Sequence, residues 1–586
     1  MSSEARQPSS QRVAFVAEEL LGYVRDGLGT TTTFVAVALA RLGHAVEVLY
    51  LGPTPSGQID PEWQRLYEEA GIRVREVPRS SEPVEPAHFS RMRDVEMALR
   101  ADPPDVVLVQ DLGAPAYIAL RLRRLGLAFD RTAFVVLCHG TRQWITDVSR
   151  KVRVLPGAHA ITVLERASLE LADVVVSPSV YLVEWMREQG WKLPAQTLVI
   201  PHLSRSGAMS EPPPARASAG SDRVERIAFF GRLEDRKGIQ PFLGALNLLE
   251  PELLQRFDVE FIGRPTPLWP LERVQEVLSD RTRSTLRGLS FETRLDQHEA
   301  IARLSRPGTL AVMPSFAEAF GNTVRECIEH GIPFIASNAA AIRELVARED
   351  RDRVLCDPTA DGIAQALRRA LGDGEALRPA RPAFDDAESL RRWQDALAPT
   401  VHPPPPAGTI VDAVPPGWTL LQGNDDVPEP EFLETLVRAQ QSSGADVVTC
   451  GVMVDGVAHL FPGEPAALGL LRNGYGTVAL VRSSLLDLDT TDERWPLLAK
   501  LSLAGAKIVS VPLPLVTSTT SPAALDSHPT EALRVMGNFE GALPPHLRFL
   551  AEFVTRAAAD KPRSSQPRAR GRVRGVARRL LRGRAR

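Results

Sequence analysis

The stretch Leu310–Val346, LAVMPSFAEAFGNTVRECIEHGIPFIASNAAAIRELV, decides the fold. Leu310 to Met313 form an apolar run of strand length, Pro314-Ser315 ends it, and a loop leads to Asn322-Thr323, whose side chains suit a helix cap. A strand feeding a helix in this way is a βα unit, and α/β sheets bind ligands outside the carboxyl ends of their strands. The free amides of the first helical turn would face an anion there. Glu318 in the loop and Glu326 in the first turns of the helix could both reach one ligand and accept hydrogen bonds from its hydroxyls. An anion on the amides with hydroxyls on the acids describes a sugar nucleotide. The plainer alternative is that Glu326 complements the helix dipole, Glu318 is solvated and the rest is core.

A second block lies upstream, Arg226–Gly238, RIAFFGRLEDRKG. It reads as a buried strand ending in a glycine turn, with Arg232 and Lys237 just beyond, and two cations past a strand's end suit a diphosphate. The two blocks together resemble the retaining family-4 glycosyltransferases of the GT-B fold, in Gly231-Arg232, Lys237-Gly238 and the pair Glu318 and Glu326. The resemblance implies a fold class of α/β type: two doubly wound Rossmann-like lobes around a cleft. It also implies roles. Arg232 and Lys237, with the amides near Gly321, Asn322 and Thr323, would stabilise charge on the leaving phosphate. Glu326 would hold the ribose hydroxyls and Glu318 those of the sugar. His139, after the strand FVVLC, would lie by the transferred sugar. Gly27 and Gly29, in a glycine loop after the first strand, would approach the diphosphate together with Gly231. Glu344 is a further acid of the donor site. Ahead of it this chain has Ala339-Ala340 where the family usually has Gly-Gly, so the backbone would approach the donor less closely. No metal and no separate cofactor are implied, the substrate being a UDP- or GDP-sugar, and no residue cluster has metal-ligand spacing.

The rest of the chain is read outward from these blocks. Residues 12–203 alternate strands and helices as an acceptor-side lobe, with strands expected at Val13–Ala17, Ala45–Leu51, Val106–Val109, Phe134–Cys138, Val174–Ser177 and Leu198–Pro201. Pro178-Ser179 in this lobe reads as architecture. Residues 204–223 are rich in Pro, Ser, Gly and Ala and read as a linker. Residues 224–400 form the donor lobe, with strands at Ile227–Phe230, Val259–Ile262, Leu310–Met313, Pro333–Ala336 and Val354–Cys356, and Phe384–Ala398 as a late cross-over helix. After the proline-rich VHPPPPAG, residues 409–525 read as a separate unit resembling the carboxyl half of a family-2, GT-A-type glycosyltransferase. It departs from that family in lacking room for a nucleotide-binding half. Gly423 stands for the first acid of the metal-binding turn, leaving Asp425 and Asp426, and Arg494 stands where a general base is expected. It is therefore expected to be inactive. Residues 526–560 are expected to be a helical extension and 561–586 a basic tail.

Composition limits the partners. At 44% hydrophobic and 24% charged the chain falls among globular proteins, with no apolar run long enough to span a bilayer. The opening MSSEARQPSSQR lacks the layout of a signal peptide, so the expected location is the cytosol. Four scattered cysteines suggest neither disulfides nor zinc. The net charge of −3 hides an asymmetry: residues 561–586 hold eleven Lys and Arg and no acid, which leaves −14 on the remainder. Val573, Val576, Ala577, Leu580 and Leu581 would form an apolar stripe if the tail were helical, which fits an anionic membrane surface such as the inner face of the plasma membrane. Gly571, Gly575 and Gly583 weaken such a helix, and a solvated tail is the alternative. No aromatic residue accompanies the arginines, so no specific nucleic-acid partner is expected. The expected activity is retaining transfer from a nucleotide-sugar donor to a glycan or lipid-linked acceptor, in cell-surface polysaccharide biosynthesis. The alternatives are a catalytically degenerate scaffold and a sugar-nucleotide epimerase.

Overall fold

The computed structural model describes residues 10–23, 27–53, 59–149, 156–209, 223–372, 377–397, 413–463, 473–486 and 494–519. In the first lobe the apolar runs become strands: β1 (Arg12–Ala17), β2 (Ala45–Tyr50), β3 (Arg73–Glu76), β4 (Val84–Glu85), β5 (Val106–Gln110), β6 (Ala133–Leu137), β7 (Val174–Ser177) and β8 (Thr197–Val199). Seven of them form one sheet in the order β3-β2-β1-β5-β6-β7-β8, with every pair parallel. Its inner strands are buried along their whole length, as expected where helices cover both faces. β3, sequence RVRE, escapes the sequence reading because an edge strand needs no apolar run.

The second lobe repeats the plan with β9 (Arg226–Phe230), β10 (Asp258–Ile262), β11 (Gly288–Glu292), β12 (Thr309–Met313), β13 (Phe334–Ser337) and β14 (Leu355–Cys356). Its order is β11-β10-β9-β12-β13-β14, again all parallel. The chain order reverses between β9 and β12, which opens a crevice at their carboxyl ends. Those two strands end in the two motif blocks, so segments distant in sequence meet side by side. Phe229, Phe242 and Phe261 pack ring against ring beneath the sheet and fix the strands from below.

Two elements tie the lobes together. The helix Asp386–Ala396 leaves the second lobe and buries Trp393 and Ala396 in the core of the first. Its Asp386 accepts from the Ser204 amide at 3.2 Å and pairs with Arg325 at 3.2 Å. The linker reading of 204–223 is corrected here: Arg205–Met209 form a short helix with Ala208 and Met209 in the first-lobe core, because the stretch opens with residues that can pack. Residues 210–222 lie outside the described residues.

The third unit contains β15 (Trp418–Leu421), β16 (Val427–Pro428), β17 (Val447–Val454), β18 (Val457–His459), β19 (Ala479–Arg482) and β20 (Ile508–Thr517). It is less separate than the sequence reading has it. Its sheet runs β15-β19-β17-β18 and continues onto β4 of the first lobe, with Ala458 and His459 opposite Val84 and Glu85. Leu460 packs among Phe89, Tyr117 and Ile118, and the Tyr117 hydroxyl donates to the Pro462 carbonyl at 2.6 Å. A two-residue partner strand inside another domain leaves no local pattern to read. In the acidic turn both oxygens of Asp426 are engaged, by the Gly423 amide and the Ser518 hydroxyl at 2.5 Å each. Arg494 approaches the same carboxylate to 3.6 Å. Asp425 is exposed.

All four cysteines are buried and free. Among the described residues no helix is long and apolar enough to cross a membrane, and no His, Cys, Asp and Glu group could hold a metal ion. The proline-rich boundary at 401–408, the 526–560 extension and the 561–586 tail lie outside the described residues.

Candidate active site

The second lobe supplies the charged floor of the crevice. Gly231 closes β9 at φ 147°, and Gly238 at φ 76° lies against β12's exit: a Cβ there would stand 2.0 Å from the Pro314 carbonyl oxygen. Only glycine lets the two blocks abut. Between them Asp235–Lys237 make a tight turn, pinned by the Trp269 indole N–H donating to Asp235 Oδ1 at 2.7 Å. This turn presents Lys237 Nζ at 2.6 Å from Glu318 Oε1 and Arg236 Nη1 at 3.0 Å from Glu318 Oε2. Glu318 is buried, which alone would raise its pKa; Lys237 and Arg236, with hydrogen bonds from Lys237 and Ser315, outweigh that and hold it at about 2. Arg232 is half exposed, and its ion pair is with Glu234 at 3.6 Å. The sequence reading brings Lys237 and Glu318 to the site and misses Arg236, although it stands inside the quoted block.

The helix Asn322–Glu329 opens at the same edge. The expected Asn322-Thr323 cap is corrected: Gly321 occupies the cap position at φ 102°, and Asn322 and Thr323 are the first helical residues. No side chain caps this end, so the amides of Asn322 and Thr323 point out of the helix unoccupied by a cap, as an anion requires. Glu326 follows one turn later, half-buried, and accepts from Gln297 Nε2 at 2.7 Å. A capping box between Asp296 and Glu299 fixes the helix that begins at Gln297. Burial, opposed by the Gln297 hydrogen bond, pushes the Glu326 carboxyl up to about 7.

The first lobe closes over this floor with two histidines. Asp111, at the end of β5, accepts from the His139 amide at 3.0 Å and the Gly140 amide at 3.2 Å. Gly140 has φ 103° and a Cβ on it would come within 2.6 Å of Trp144, so the turn that presents His139 depends on glycine. Burial and the nearby Glu165 raise Asp111 to about 7 against these amide donors. His139 Nε2 is buried with no hydrogen-bond partner among the described residues, and burial and His202 lower the ring's pKa to about 3. The ring is therefore uncharged, with one buried polar atom unsatisfied. His202, missed by the sequence reading, lies past β8 with its ring centroid 5.6 Å from that of His139 and 4.3 Å from that of Phe320. Its Nδ1 is 3.2 Å from Asn322 Oδ1 and 3.4 Å from Thr31 Oγ1, bridging the lobes. Burial keeps it neutral, with a pKa of about 4. It stands past a strand's carboxyl end like His139, the signal that could have found it.

Two expectations change. Gly27 and Gly29 belong to the first turn of the helix Gly27–Arg41, not to a loop before it; Gly27 still approaches the second lobe, since a Cβ on it would meet Asn322 Nδ2 at 3.0 Å. Glu344 does not join the charged floor of the second lobe. Its carboxylate crosses the cleft and accepts from the Val180 and Tyr181 amides, each at 2.8 Å, at the start of the helix Val180–Glu188. Free amides at a helix start draw a carboxylate from whichever lobe offers one. Beside it the Ser179 hydroxyl donates to the Ala319 carbonyl at 2.7 Å, so Ser179 fastens the lobes as well as capping its helix. Ala340 adopts φ 51°, a left-handed backbone that favours glycine.

Two Rossmann-like lobes facing each other across a crevice of this composition define the GT-B architecture. Comparison with known families agrees lobe by lobe: residues 26–202 match the glycosyl transferase 4-like domain and residues 224–373 match glycosyl transferases group 1. The chain is a GT-B glycosyltransferase built from these two domains. Among curated relatives it is similar to glycogen synthase of Mycobacterium tuberculosis, 27% identical over 419 residues, spanning 67% of this chain and 94% of the relative. Among solved structures it is similar to the sucrose-phosphate synthase of Thermosynechococcus elongatus, at 18% identity and TM-score 0.46, covering 66% of this chain and 96% of the other. It is also similar to Anabaena HepE in complex with UDP and glucose, at 15% identity and TM-score 0.44, covering 66% and 99%.

Proposed function

We propose that the chain transfers a sugar from a nucleotide-sugar donor, a UDP- or GDP-sugar, to a glycan or lipid-linked acceptor with retention of configuration. The observation that carries this reading is the cluster at the β9–β12 reversal. Lys237 and buried, ionised Glu318 adjoin the uncapped helix start at Asn322-Thr323, with the unpartnered His139 Nε2 on the facing lobe. The diphosphate would lie on the amides of Asn322 and Thr323 and be neutralised by Lys237 and Arg232. Glu326 would accept the ribose hydroxyls, Glu318 those of the sugar. As the diphosphate leaves, an oxocarbenium-like centre forms and the acceptor hydroxyl attacks from the same face, so no protein nucleophile is needed. The name of the mycobacterial relative supports a glycan acceptor.

The third unit is read as inactive, with Asp426 taken up by Arg494, Gly423 and Ser518. The cationic tail suits an anionic lipid surface, which would bring the cleft to envelope acceptors from the cytosolic side. A thermal-shift screen against UDP-, GDP- and ADP-sugars tests the donor: a ligand at about a hundred times its Kd adds roughly 2.7 kcal/mol. Retention is then read from the anomeric configuration of the product. No shift with any sugar nucleotide refutes the reading, as does product formation without an acceptor and with an epimerised sugar. Sedimentation with anionic vesicles, lost when residues 561–586 are removed, tests the tail.

A further inference from the structure

The donor floor holds more charge than the diphosphate needs, arranged as an alternating row. Arg232 pairs with Glu234 at 3.6 Å, Glu234 with Arg236 at 3.0 Å, Arg236 with Glu318 at 3.0 Å and Glu318 with Lys237 at 2.6 Å. If Lys237 were the sole counter-charge of Glu318, its one positive charge would be divided between that carboxylate and the leaving phosphate, and a buried carboxylate short of counter-charge is strongly destabilised. We infer that Arg236 is a positioning residue: it holds Glu318 ionised and oriented for the donor sugar, and so frees Lys237, with Arg232, for the diphosphate. This rests on the reading of the cleft as a nucleotide-sugar site.

Three features single out Arg236. Its guanidinium is fixed on several sides, donating to Glu318 Oε2, to the Ala317 carbonyl at 3.2 Å and to Glu234 Oε1. Its own carbonyl accepts from the Phe316 amide at 2.8 Å, so backbone and side chain both grip the loop that carries Glu318. Lys237, by contrast, is anchored among the described residues by Glu318 alone and sits on a flexible stem. The planar fork of Arg236 serves two carboxylates and a carbonyl from two nitrogens in a fixed geometry, whereas the three donors of an ammonium leave a single atom on a flexible stem. The row therefore has a fixed centre, Glu234–Arg236–Glu318, and two cations at its ends that can turn to a ligand.

The test compares Arg236→Gln, Arg236→Lys and Lys237→Ala in the full chain, with a UDP- or GDP-sugar that the wild type binds. Arg236→Gln is expected to lower kcat by roughly up to a hundredfold through misplacement of Glu318, with donor KM little changed. It should also bring an acid limb into the rate profile. With one of its two cations gone, the Glu318 carboxyl titrates higher, and activity is lost as pH falls through that raised value. Arg236→Lys is expected to keep the wild-type pH profile with a reduced kcat, and Lys237→Ala to raise donor KM as well as lower kcat. A wild-type kcat and profile in Arg236→Gln overturn the role while leaving the donor site standing. A wild type that neither binds nor turns over any sugar nucleotide overturns both. Should Arg236→Gln fail to fold, Arg236→Lys decides, an undiminished kcat being the refuting result.

Discussion

Glu326 is the residue whose chemistry a change of pH exposes most directly. Its folded-state pKa of about 7 stands above the ordinary carboxyl value of 4.5, chiefly because this half-buried group is partly withdrawn from water. The empty protein therefore holds a proton that the unfolded chain has lost. The stabilisation is complete below the unfolded value and fades as pH rises through about 7. Accepting hydrogen bonds from ribose hydroxyls calls for the opposite, ionised form. Donor KM is thus expected to fall as pH rises from 6 to 8, and Glu326→Gln to flatten that dependence while raising KM; a wild-type slope in the variant refutes the ribose assignment. His139 and His202, at about 3 and 4, stay neutral throughout this range; Asp111, raised to about 7, titrates within it in wild type and variant alike, so the part of the slope that Glu326→Gln removes is the part Glu326 carries. Residues such as Lys237, Glu318 and Glu326 were legible in the sequence because each sits a short, countable distance past a strand or into a helix. Arg236 and His202 stand at similar distances past β9 and β8, but position alone does not single them out; their partners, Glu318 and Asn322, are brought in by folding.

At the scale of elements, what matters is how loops and helix ends meet across the cleft. Glu344 closes the exposed start of the Val180–Glu188 helix with two hydrogen bonds from the opposite lobe. Bonds to a charged acceptor are worth roughly 1.5–3 kcal/mol each when buried, and partial exposure here reduces the pair to about 1–2 kcal/mol in total. Glu344→Ala is expected to loosen closure by that amount and raise donor KM about 5- to 30-fold. The radius of gyration measured by X-ray scattering should increase as well. An unchanged KM and radius would mean the clasp is incidental. Ala340, one turn of chain away, bears a left-handed backbone that disfavours an L-residue by about 1–2 kcal/mol, against roughly 0.5–1 kcal/mol of chain entropy that glycine would add to the unfolded state. Ala340→Gly should therefore hold or raise Tm, by up to about 2 °C, and a lower Tm contradicts the strain argument. The sequence showed the alanine pair as a departure; it could not show that the backbone keeps a glycine conformation under it. Nor could it show Glu344 turned to the other lobe, because no periodicity records a distance between lobes.

For the whole molecule, the third unit is expected to take no part in transfer. Asp425→Ala and added chelator should leave the rate unchanged, and a loss restored by manganese would give the unit a catalytic role. Its place is structural in a more binding sense. β18 completes its edge on β4, and Leu460 lies among Phe89, Tyr117 and Ile118 of the first lobe. A chain ended at Leu397 would keep both sugar-transfer lobes yet bare that strand edge and the apolar face beside it, an invitation to self-association. Such a fragment is expected to aggregate at concentrations where the full chain stays monodisperse, which light scattering would decide. On a ribosome the same contact sets a waiting period. Strand β4 is made early and its partner β18 only after both Rossmann-like lobes, so for most of synthesis the first lobe carries an unfinished seam that the third unit has to seal.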